Sequence, residues 1–214
     1  LLKRDGMPTY NFANVIDDHL MGISHIMRGA EFITSTPKYI LLYEAYGWEV
    51  PTFIHLAPVM GKNEDGSVSK LSKRHGATSF DDLVKLGYLP EAITNYVALL
   101  GWNPKTTNQE IFSMEELISH FELDGLSKSP AVFDYDKLGW INGEYFKAMS
   151  DEEFAKRARE FAGDLPDYLE KNWQMVAALL KTRVQRFSDV KEEIDFLITL
   201  PEFDADLYNN KRNK

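Results

Sequence analysis

Two lysines and an arginine stand close together in a polar stretch, at Lys70, Lys73 and Arg74, with Ser72 between the lysines. A lysine ammonium is a compact charge with three donors, and it suits the negative charge that builds up during phosphoryl or nucleotidyl transfer. Lys70 and Lys73 are therefore candidate catalytic groups for chemistry on a polyphosphate. A solvated basic turn is the alternative, because so short a pattern also arises by chance.

The elements that must position such groups begin with a predicted strand, helix and second strand. The first strand covers 23–27 and ends at Arg28, and the second covers Thr52–Leu56. Between them Thr36 is expected to cap a helix over 38–46. This βαβ pattern implies a parallel sheet, whose ligands gather at the carboxyl ends of the strands. Arg28 and the loop after Leu56 stand at those ends.

The remainder is predicted to be a long polar loop followed by helices. The loop spans 61–76, and a loop of that length in a compact domain is usually functional or disordered. A linker is expected near 143–150. The predicted helices cover 80–86, 90–100, 113–121 with a capping box at its start, 150–162 with a second capping box, 166–186 and 188–200.

Composition excludes several classes of protein. The 24 Lys and Arg residues against 33 Asp and Glu give a net charge of −9, which excludes a wholly basic nucleic-acid cradle. The absence of cysteine removes disulfides, thiolate metal sites and cysteine nucleophiles, and it suits a reducing cytoplasm. Asp17, Asp18 and His19 are adjacent, so on a helix they point apart. We therefore expect neither a metal site nor a bound zinc ion.

Residues 70–74 resemble the Lys-Met-Ser-Lys-Ser loop of class I aminoacyl-tRNA synthetases, with Leu71 for the Met and Arg74 for the last Ser. That variant is typical of the glutamyl and glutaminyl branch, and the segments upstream and downstream agree in order and spacing. Taken together they resemble bacterial glutamyl-tRNA synthetases, strongly over about the first 150 residues. The segments are Pro8–Met21, Ile26–Glu31, Ser35–Pro37, Leu99–Trp102, Phe133–Leu138 and Trp140–Gly143.

The resemblance implies a set of binding residues. Tyr10 and Asn14 map to positions that line the amino-acid pocket, and Arg28 maps to the arginine that recognises the side-chain carboxylate of glutamate. A guanidinium fork is suited to choosing a carboxylate over a neutral amide. Without the resemblance, each residue has a structural alternative. Tyr10 could be a core aromatic, Asn14 could be a helix cap or turn residue, and Arg28 could be a surface ion-pair partner.

The resemblance also implies an ATP site. Lys73 maps to the lysine of the signature loop that contacts ATP, and Lys70 assists it. The stretch 57–60, which includes Val59 and Met60, maps to the segment that holds adenine against the backbone. The implied cofactor is ATP, as a substrate, with Mg²⁺.

The implied fold class is α/β followed by all-α. We expect residues 1–79 to form the C-terminal half of a Rossmann-type catalytic domain with the KMSKS-like loop, 80–149 a stem-contact helical domain, and 150–214 the start of an α-helical anticodon-binding bundle. The chain contains no His-x-Gly-His segment, the family's other ATP-binding signature. We therefore expect a fragment that lacks the N-terminal part of the enzyme and is inactive alone.

The implied activity of the parent is ATP-dependent ligation of L-glutamate to tRNA(Glu) through glutamyl-adenylate, by a cytoplasmic and monomeric enzyme without membrane contact. One alternative is a glutaminyl-tRNA synthetase, against which the helical C-terminal third argues. The other is a non-catalytic tRNA-binding module that kept the fold and lost the chemistry, against which the intact Lys70 and Lys73 pair argues.

Overall fold

The computed structural model describes residues 1–199, which form mixed α/β structure with a predominance of helix. Its strands are β1 (His25–Gly29), β2 (Thr52–Leu56), β3 (Val59–Lys62), β4 (Val68–Lys70) and β5 (Ala131–Val132). Its helices are α1 (Tyr10–Leu20), α2 (Thr36–Tyr46), α3 (Phe80–Lys85), α4 (Pro90–Gly101), α5 (Met114–His120), α6 (Tyr135–Ala148), α7 (Asp151–Arg159), α8 (Asp167–Lys171), α9 (Trp173–Leu180) and α10 (Val190–Ile198). None of the helices in 1–199 is long and apolar enough to cross a membrane.

The described chain divides into two compact units that interleave along the sequence. Unit 1 consists of 1–72, 98–108 and 120–133. Unit 2 consists of 73–97, 109–119 and, among the described residues, those from 134 onward. The boundary after residue 72 falls inside the KMSKS-like motif, so that Lys70 belongs to unit 1 and Lys73 to unit 2.

The βαβ prediction is confirmed in unit 1. Strands β1 and β2 pair in parallel, with Arg28 opposite His55 at the carboxyl end of the sheet. Helix α2 connects them and ends at Gly47, whose φ of +71° is the left-handed conformation that glycine adopts without strain. The predicted cap was wrong by one residue, because Ser35 precedes the helix and Thr36 lies inside it.

The predicted polar loop over 61–76 is wrong in its first half. Strands β3 and β4 form an antiparallel hairpin, with Gly61 opposite Ser69. The turn is closed by polar side chains, since Asp65 accepts hydrogen bonds from the backbone N–H and the hydroxyl of Ser67. Strand β5 pairs in parallel with β3 on its other side. These strands were not predicted from the sequence because they are short and contain few consecutive apolar residues.

The helical predictions for unit 2 succeed in part. Helices α3 and α4 match the predicted ranges, and the capping box of α5 is present, since Ser113 and Glu116 each accept a hydrogen bond from the other's backbone N–H. The helix predicted over 166–186 is wrong, because α8 and α9 are separate helices that meet at Asn172. The last residue of the helix predicted over 188–200 lies outside the described residues.

The linker expected near 143–150 is also wrong, because α6 runs through most of it. Asp134 caps this helix by accepting hydrogen bonds from the backbone N–H groups of Asp136 and Lys137. Leu138 and Ile141 are fully buried along it. Gly143 therefore lies within a packed helix, and the glycine alone did not justify the prediction of a break.

Candidate functional site

Arg28 lies at the carboxyl end of β1, where parallel sheets place their ligands. Its guanidinium carbon lies 4.7 Å from the ring centroid of Tyr39 and 5.4 Å from those of Phe32 and Phe53. These three rings, here called the aromatic cage, offer the negative faces that attract a cation. Arg28 Nη1 is buried and has no hydrogen-bond partner among the described residues.

Tyr10 and Asn14 lie on one face of α1, one helical turn apart. Tyr10 is 61% exposed, and its ring centroid lies 6.0 Å from that of Phe32, a ring of the aromatic cage. Asp18, one turn further along the same face, interacts electrostatically with Arg28. Tyr10 and Arg28 therefore both contact Phe32, and Asn14 follows Tyr10 by one turn on α1.

Several buried polar atoms of unit 1 have no hydrogen-bond partner among the described residues. They are the amide Nδ2 and Oδ1 of Asn14, Nη1 of Arg28 and the hydroxyl of Tyr43. Burial raises the pKa of Tyr43, the charge of Asp18 adds to that effect, and Arg28 opposes it. Burial also raises the pKa of the Asp18 carboxyl, against the opposing pull of Arg28. Since native proteins pair nearly all such groups, each of these atoms is a candidate contact for a polar ligand.

Lys70 is the last residue of β4, and its side chain is 70% exposed. Its ammonium lies 3.6 Å from the carboxylate of Glu31, which follows β1 by two residues. The pKa of Glu31 is held below its usual range, first by a hydrogen bond from its own backbone N–H and then by Lys70. The start of the KMSKS-like motif therefore lies beside the segment that carries Arg28.

The rest of that motif forms the connection from β4 into a single 3-10 turn, Lys73–His75. The side chains of Ser72, Lys73 and Arg74 are exposed, whereas Leu71 is partly buried. The Leu71 backbone N–H donates to the carbonyl of Val59 at 3.0 Å, which ties the motif to β3. Ser72, Lys73 and Arg74 are thus presented at a surface, as binding to a polyphosphate requires.

The segment predicted to contact adenine leads into β3. Its backbone is already engaged, because the Val59 carbonyl accepts from Leu71 and the Met60 carbonyl accepts from the N–H of Phe133 at 2.8 Å. The side chains of Val59 and Met60 are partly buried. Each of these two carbonyl oxygens keeps one lone pair, which could accept a hydrogen bond from an adenine ring.

Three residues near Arg28 were not predicted from the sequence. Tyr39 and Tyr43 lie one turn apart on α2 and are fully buried, and Asn11 on α1 accepts a hydrogen bond of 2.7 Å from the Tyr39 hydroxyl. The available signal was the pair of tyrosines at helical spacing, since a buried tyrosine hydroxyl needs a polar partner. Nothing local in the sequence pointed to Asn11.

Other parts of the described structure do not contain the residues predicted to bind substrate. A cavity of about 470 Å³ opens near the amino ends of β1 and β2, lined by residues that include His25, Glu49 and Thr52. It contains none of the residues predicted for the site. Within 1–199 no group of three or more His, Asp or Glu side chains is arranged to hold a metal ion.

Two known families match the chain. Residues 1–140 match the family described as tRNA synthetases class I (E and Q), catalytic domain. Residues 153–214 match the family described as anticodon binding domain. The two matches together cover nearly the whole chain.

Curated relatives agree with the family matches. The whole chain aligns at 51% identity with the glutamate–tRNA ligase of Clostridium botulinum (strain Eklund 17B / Type B) and at 51% with that of Clostridium tetani (strain Massachusetts / E88). In both cases the chain covers 43% of the relative. It thus spans less than half the length of the curated relatives it matches.

Solved structures agree in fold. A glutamate tRNA ligase from Elizabethkingia meningosepticum CCUG26117, crystallised in complex with its amino acid, superposes with a TM-score of 0.82 at 36% identity, covering 97% of this chain and 44% of that one. The glutamate-tRNA synthetase of Elizabethkingia anophelis gives 0.83 at 36% identity, with 96% and 44% covered.

Proposed function

The chain belongs to the class I tRNA synthetase family (E and Q), and from this premise we propose that it is part of a longer glutamate–tRNA ligase. The parent joins L-glutamate to tRNA(Glu) in two steps, through an enzyme-bound glutamyl-adenylate. The single observation that carries the choice of amino acid is Arg28, a cation at the end of a parallel strand with a buried nitrogen that has no partner among the described residues. The relatives named above, as glutamate–tRNA ligases, support the same choice.

Arg28 selects the substrate by pairing with its side-chain carboxylate. Two parallel N–H···O bonds to a carboxylate are charge-assisted, whereas the neutral amide of glutamine offers only one acceptor oxygen. Tyr10 and Asn14 line the same pocket, and the unpaired Asn14 amide has both a donor and an acceptor to offer. These assignments favour glutamate over glutamine.

The first step needs no protein nucleophile. The α-carboxylate of glutamate attacks the α-phosphorus of ATP, a bond to the bridging oxygen breaks, and pyrophosphate leaves. Lys73, assisted by Lys70, stabilises the charge on the phosphates as it shifts toward the leaving group. ATP enters with Mg²⁺, which supplies further charge neutralisation, and the backbone and side chains of Val59 and Met60 face its adenine.

The second step transfers the glutamyl group to tRNA. A hydroxyl of the terminal ribose attacks the acyl carbon of the adenylate, and AMP leaves. The match of residues 153–214 to an anticodon-binding domain supports tRNA as the partner of the helical part of the chain. We propose a cytoplasmic, monomeric parent, in which residues 1–79, 80–149 and 150–214 serve as catalytic, stem-contact and anticodon-binding segments.

Glutamate-dependent ATP–pyrophosphate exchange by the full-length parent tests this proposal. We expect exchange with glutamate, far weaker exchange with glutamine, and none from residues 1–214 alone, because the family's His-x-Gly-His segment lies outside this sequence. A preference for glutamine identifies the glutaminyl branch. Binding of tRNA without exchange by the parent identifies a non-catalytic module. Exchange by residues 1–214 overturns the proposal that the site is incomplete.

The role of the KMSKS-like loop is tested by Lys73→Ala in the parent. Loss of one preorganised donor lowers the rate of adenylate formation by about a hundred- to a thousandfold, with little change in ATP affinity. Lys73→Arg restores little of the rate, because a planar fork replaces a compact ammonium. Lys62→Ala, which removes an exposed lysine at the turn end of the same hairpin, is the matched control and leaves the rate unchanged. A rate within a few-fold of wild type for Lys73→Ala identifies the loop as a solvated basic turn.

A further inference from the structure

The aromatic cage holds Arg28 most closely through Tyr39. Of the three ring centroids that of Tyr39 is the nearest to the guanidinium carbon, at 4.7 Å against 5.4 Å for Phe32 and Phe53. Tyr39 is fully buried, whereas the guanidinium still has a nitrogen without a partner among the described residues. One side of the cation therefore faces a ring, and its Nη1 has no hydrogen-bond partner among the described residues.

Both the hydroxyl and the ring of Tyr39 contact neighbouring elements. Its hydroxyl donates a hydrogen bond of 2.7 Å to Asn11 Oδ1, which anchors α2 to α1. Its ring stacks on Phe53 of β2, with centroids 6.3 Å apart and an angle of 20° between the planes. Tyr39 also belongs to the buried core cluster of unit 1, together with Val15 and Tyr43. The Tyr39 ring is therefore contacted from both α1 and β2 while it faces the cation.

We propose that Tyr39 is a positioning residue that fixes the plane of the Arg28 guanidinium and thereby sets the preference for glutamate over glutamine. The inference rests on the proposed function, in which Arg28 binds the substrate side chain. Tyr39 acts through Arg28 and does not touch the substrate. A fork must present two N–H groups in the plane of the carboxylate, so the orientation of that plane decides whether one bond or two bonds form.

Loss of Tyr39 would change the kinetics differently if the residue had only a structural role. A core aromatic whose loss loosens unit 1 lowers the melting temperature and weakens the use of both amino acid and ATP. A positioning residue changes the KM for glutamate and the ratio of glutamate to glutamine use, and leaves the KM for ATP unchanged. The ring and the hydroxyl can also be separated, because phenylalanine keeps the face under Arg28 and loses only the bond to Asn11.

The experiment measures ATP–pyrophosphate exchange by the full-length parent with Tyr39→Leu, Tyr39→Phe and Arg28→Gln. We expect Tyr39→Leu to raise the KM for glutamate by about tenfold, within the range of a desolvated cation–π contact, and to narrow the discrimination against glutamine. We expect Tyr39→Phe to keep the KM for glutamate within about threefold of wild type, because the ring remains. Tyr96→Leu is the matched control, a fully buried tyrosine of unit 2, and it lowers the melting temperature without changing the amino-acid preference.

The variants separate failure of this inference from failure of the proposed function. Loss of glutamate use in Arg28→Gln, with an unchanged KM and preference in Tyr39→Leu, overturns the role of Tyr39 alone. Unchanged glutamate use in Arg28→Gln overturns the assignment of Arg28 on which both rest. If Tyr39→Leu does not fold, Asn11→Ala frees the hydroxyl but keeps the ring, and we expect a smaller shift in the same direction. An equal shift in the KM values of glutamate and ATP in Asn11→Ala then overturns the proposal.

Discussion

The two compact units differ in whether their buried asparagine side chains have hydrogen-bond partners. In unit 2, Asn142 accepts a hydrogen bond of 2.8 Å from the Leu89 backbone N–H and donates one of 2.6 Å to the Gln185 carbonyl. Asn95 of unit 2 is paired as fully, with the backbone of residues 110 and 112 and the hydroxyl of residue 145. In unit 1, Asn14 has no partner for either end of its amide among the described residues.

A buried amide with all its partners helps to hold the fold, whereas a buried amide without partners is a candidate for ligand binding. A buried amide with all its partners ties distant segments together, here residues 53 and 43 positions apart for the two bonds of Asn142. A buried amide without partners costs folding free energy, about 1–3 kcal/mol for each group. Such a cost persists where the surrounding structure is stable enough to bear it and where a ligand later supplies the partners.

The largest expected effect is on Arg28. In the full-length parent, Arg28→Gln removes the charged partner of the substrate carboxylate and lowers kcat/KM for glutamate by a factor that corresponds to about 2–5 kcal/mol. The same change also removes the cation that faces the three rings of the aromatic cage, so the free energy of unfolding of the chain falls by about 0.5–2 kcal/mol. Exchange kinetics and urea unfolding measure the two quantities. An equal loss in the use of glutamate and ATP contradicts the assignment and identifies Arg28 as structural.

The counterpart in unit 2 is Asn142→Leu, which keeps the volume and removes both bonds. The Leu89 N–H and the Gln185 carbonyl then lose their partner, so the free energy of unfolding falls by about 3 kcal/mol, with no specific effect on glutamate use. Urea denaturation followed by circular dichroism measures the loss. Gln174→Leu, at an exposed position on α9, is the control and changes stability little. A loss of less than about 1 kcal/mol for Asn142→Leu contradicts the structural role given to this amide.

A smaller effect is expected from alkaline pH. Burial raises the pKa of Tyr96 and that of Tyr145 to about 12 in the folded chain, above the usual value of 10.0. The folded state therefore keeps protons that the unfolded state releases, and stability falls as pH rises from 10 toward 12. Tyr96→Phe removes part of this dependence and costs about 1 kcal/mol at neutral pH, because the Asp134 N–H loses its acceptor. Urea unfolding at pH 8, 10 and 11 tests both points, with the exposed Tyr46→Phe as control.

How much of the fold could be predicted depends on how local its causes are. The parallel strands, α2 with Gly47, and the capping box of α5 follow from short-range patterns of apolar residues, glycine and capping side chains. The hairpin of β3 and β4 was missed because its strands are short and because β3 also pairs with the distant β5, where Ala131 lies opposite Val59. Helix α6 was missed for a similar reason, since Gly143 suggested a linker and the burial of Leu138 and Ile141 is not visible in the sequence.

The site divides in the same way. The motif resemblance predicted Arg28, Asn14 and Tyr10, and in the structure Arg28 and Tyr10 both contact Phe32. The resemblance gave no account of what fixes Arg28, because the aromatic cage comes from three separate elements. Asn11 and Tyr39 meet across 28 positions of sequence, and no spacing rule predicts that contact. The motif resemblance therefore proposes groups that touch a substrate but says nothing of the groups that hold them in place.

The smallest expected effect is also the sharpest test of the comparison between the units. Asn14→Ala removes a buried amide that has no partner among the described residues, from the interior of α1, where alanine is the best helix former. We expect the free energy of unfolding of the chain to rise by up to about 1 kcal/mol, while the full-length parent shows a several-fold higher KM for glutamate. Asn11→Ala, on the same helix, is the matched control, and it lowers the free energy of unfolding by about 1 kcal/mol because the Tyr39 hydroxyl loses its acceptor. Urea unfolding of both variants measures whether each change raises or lowers the free energy of unfolding. If Asn14→Ala destabilises the chain as much as Asn11→Ala does, Asn14 has a structural role, and the unpaired amide no longer points to a ligand.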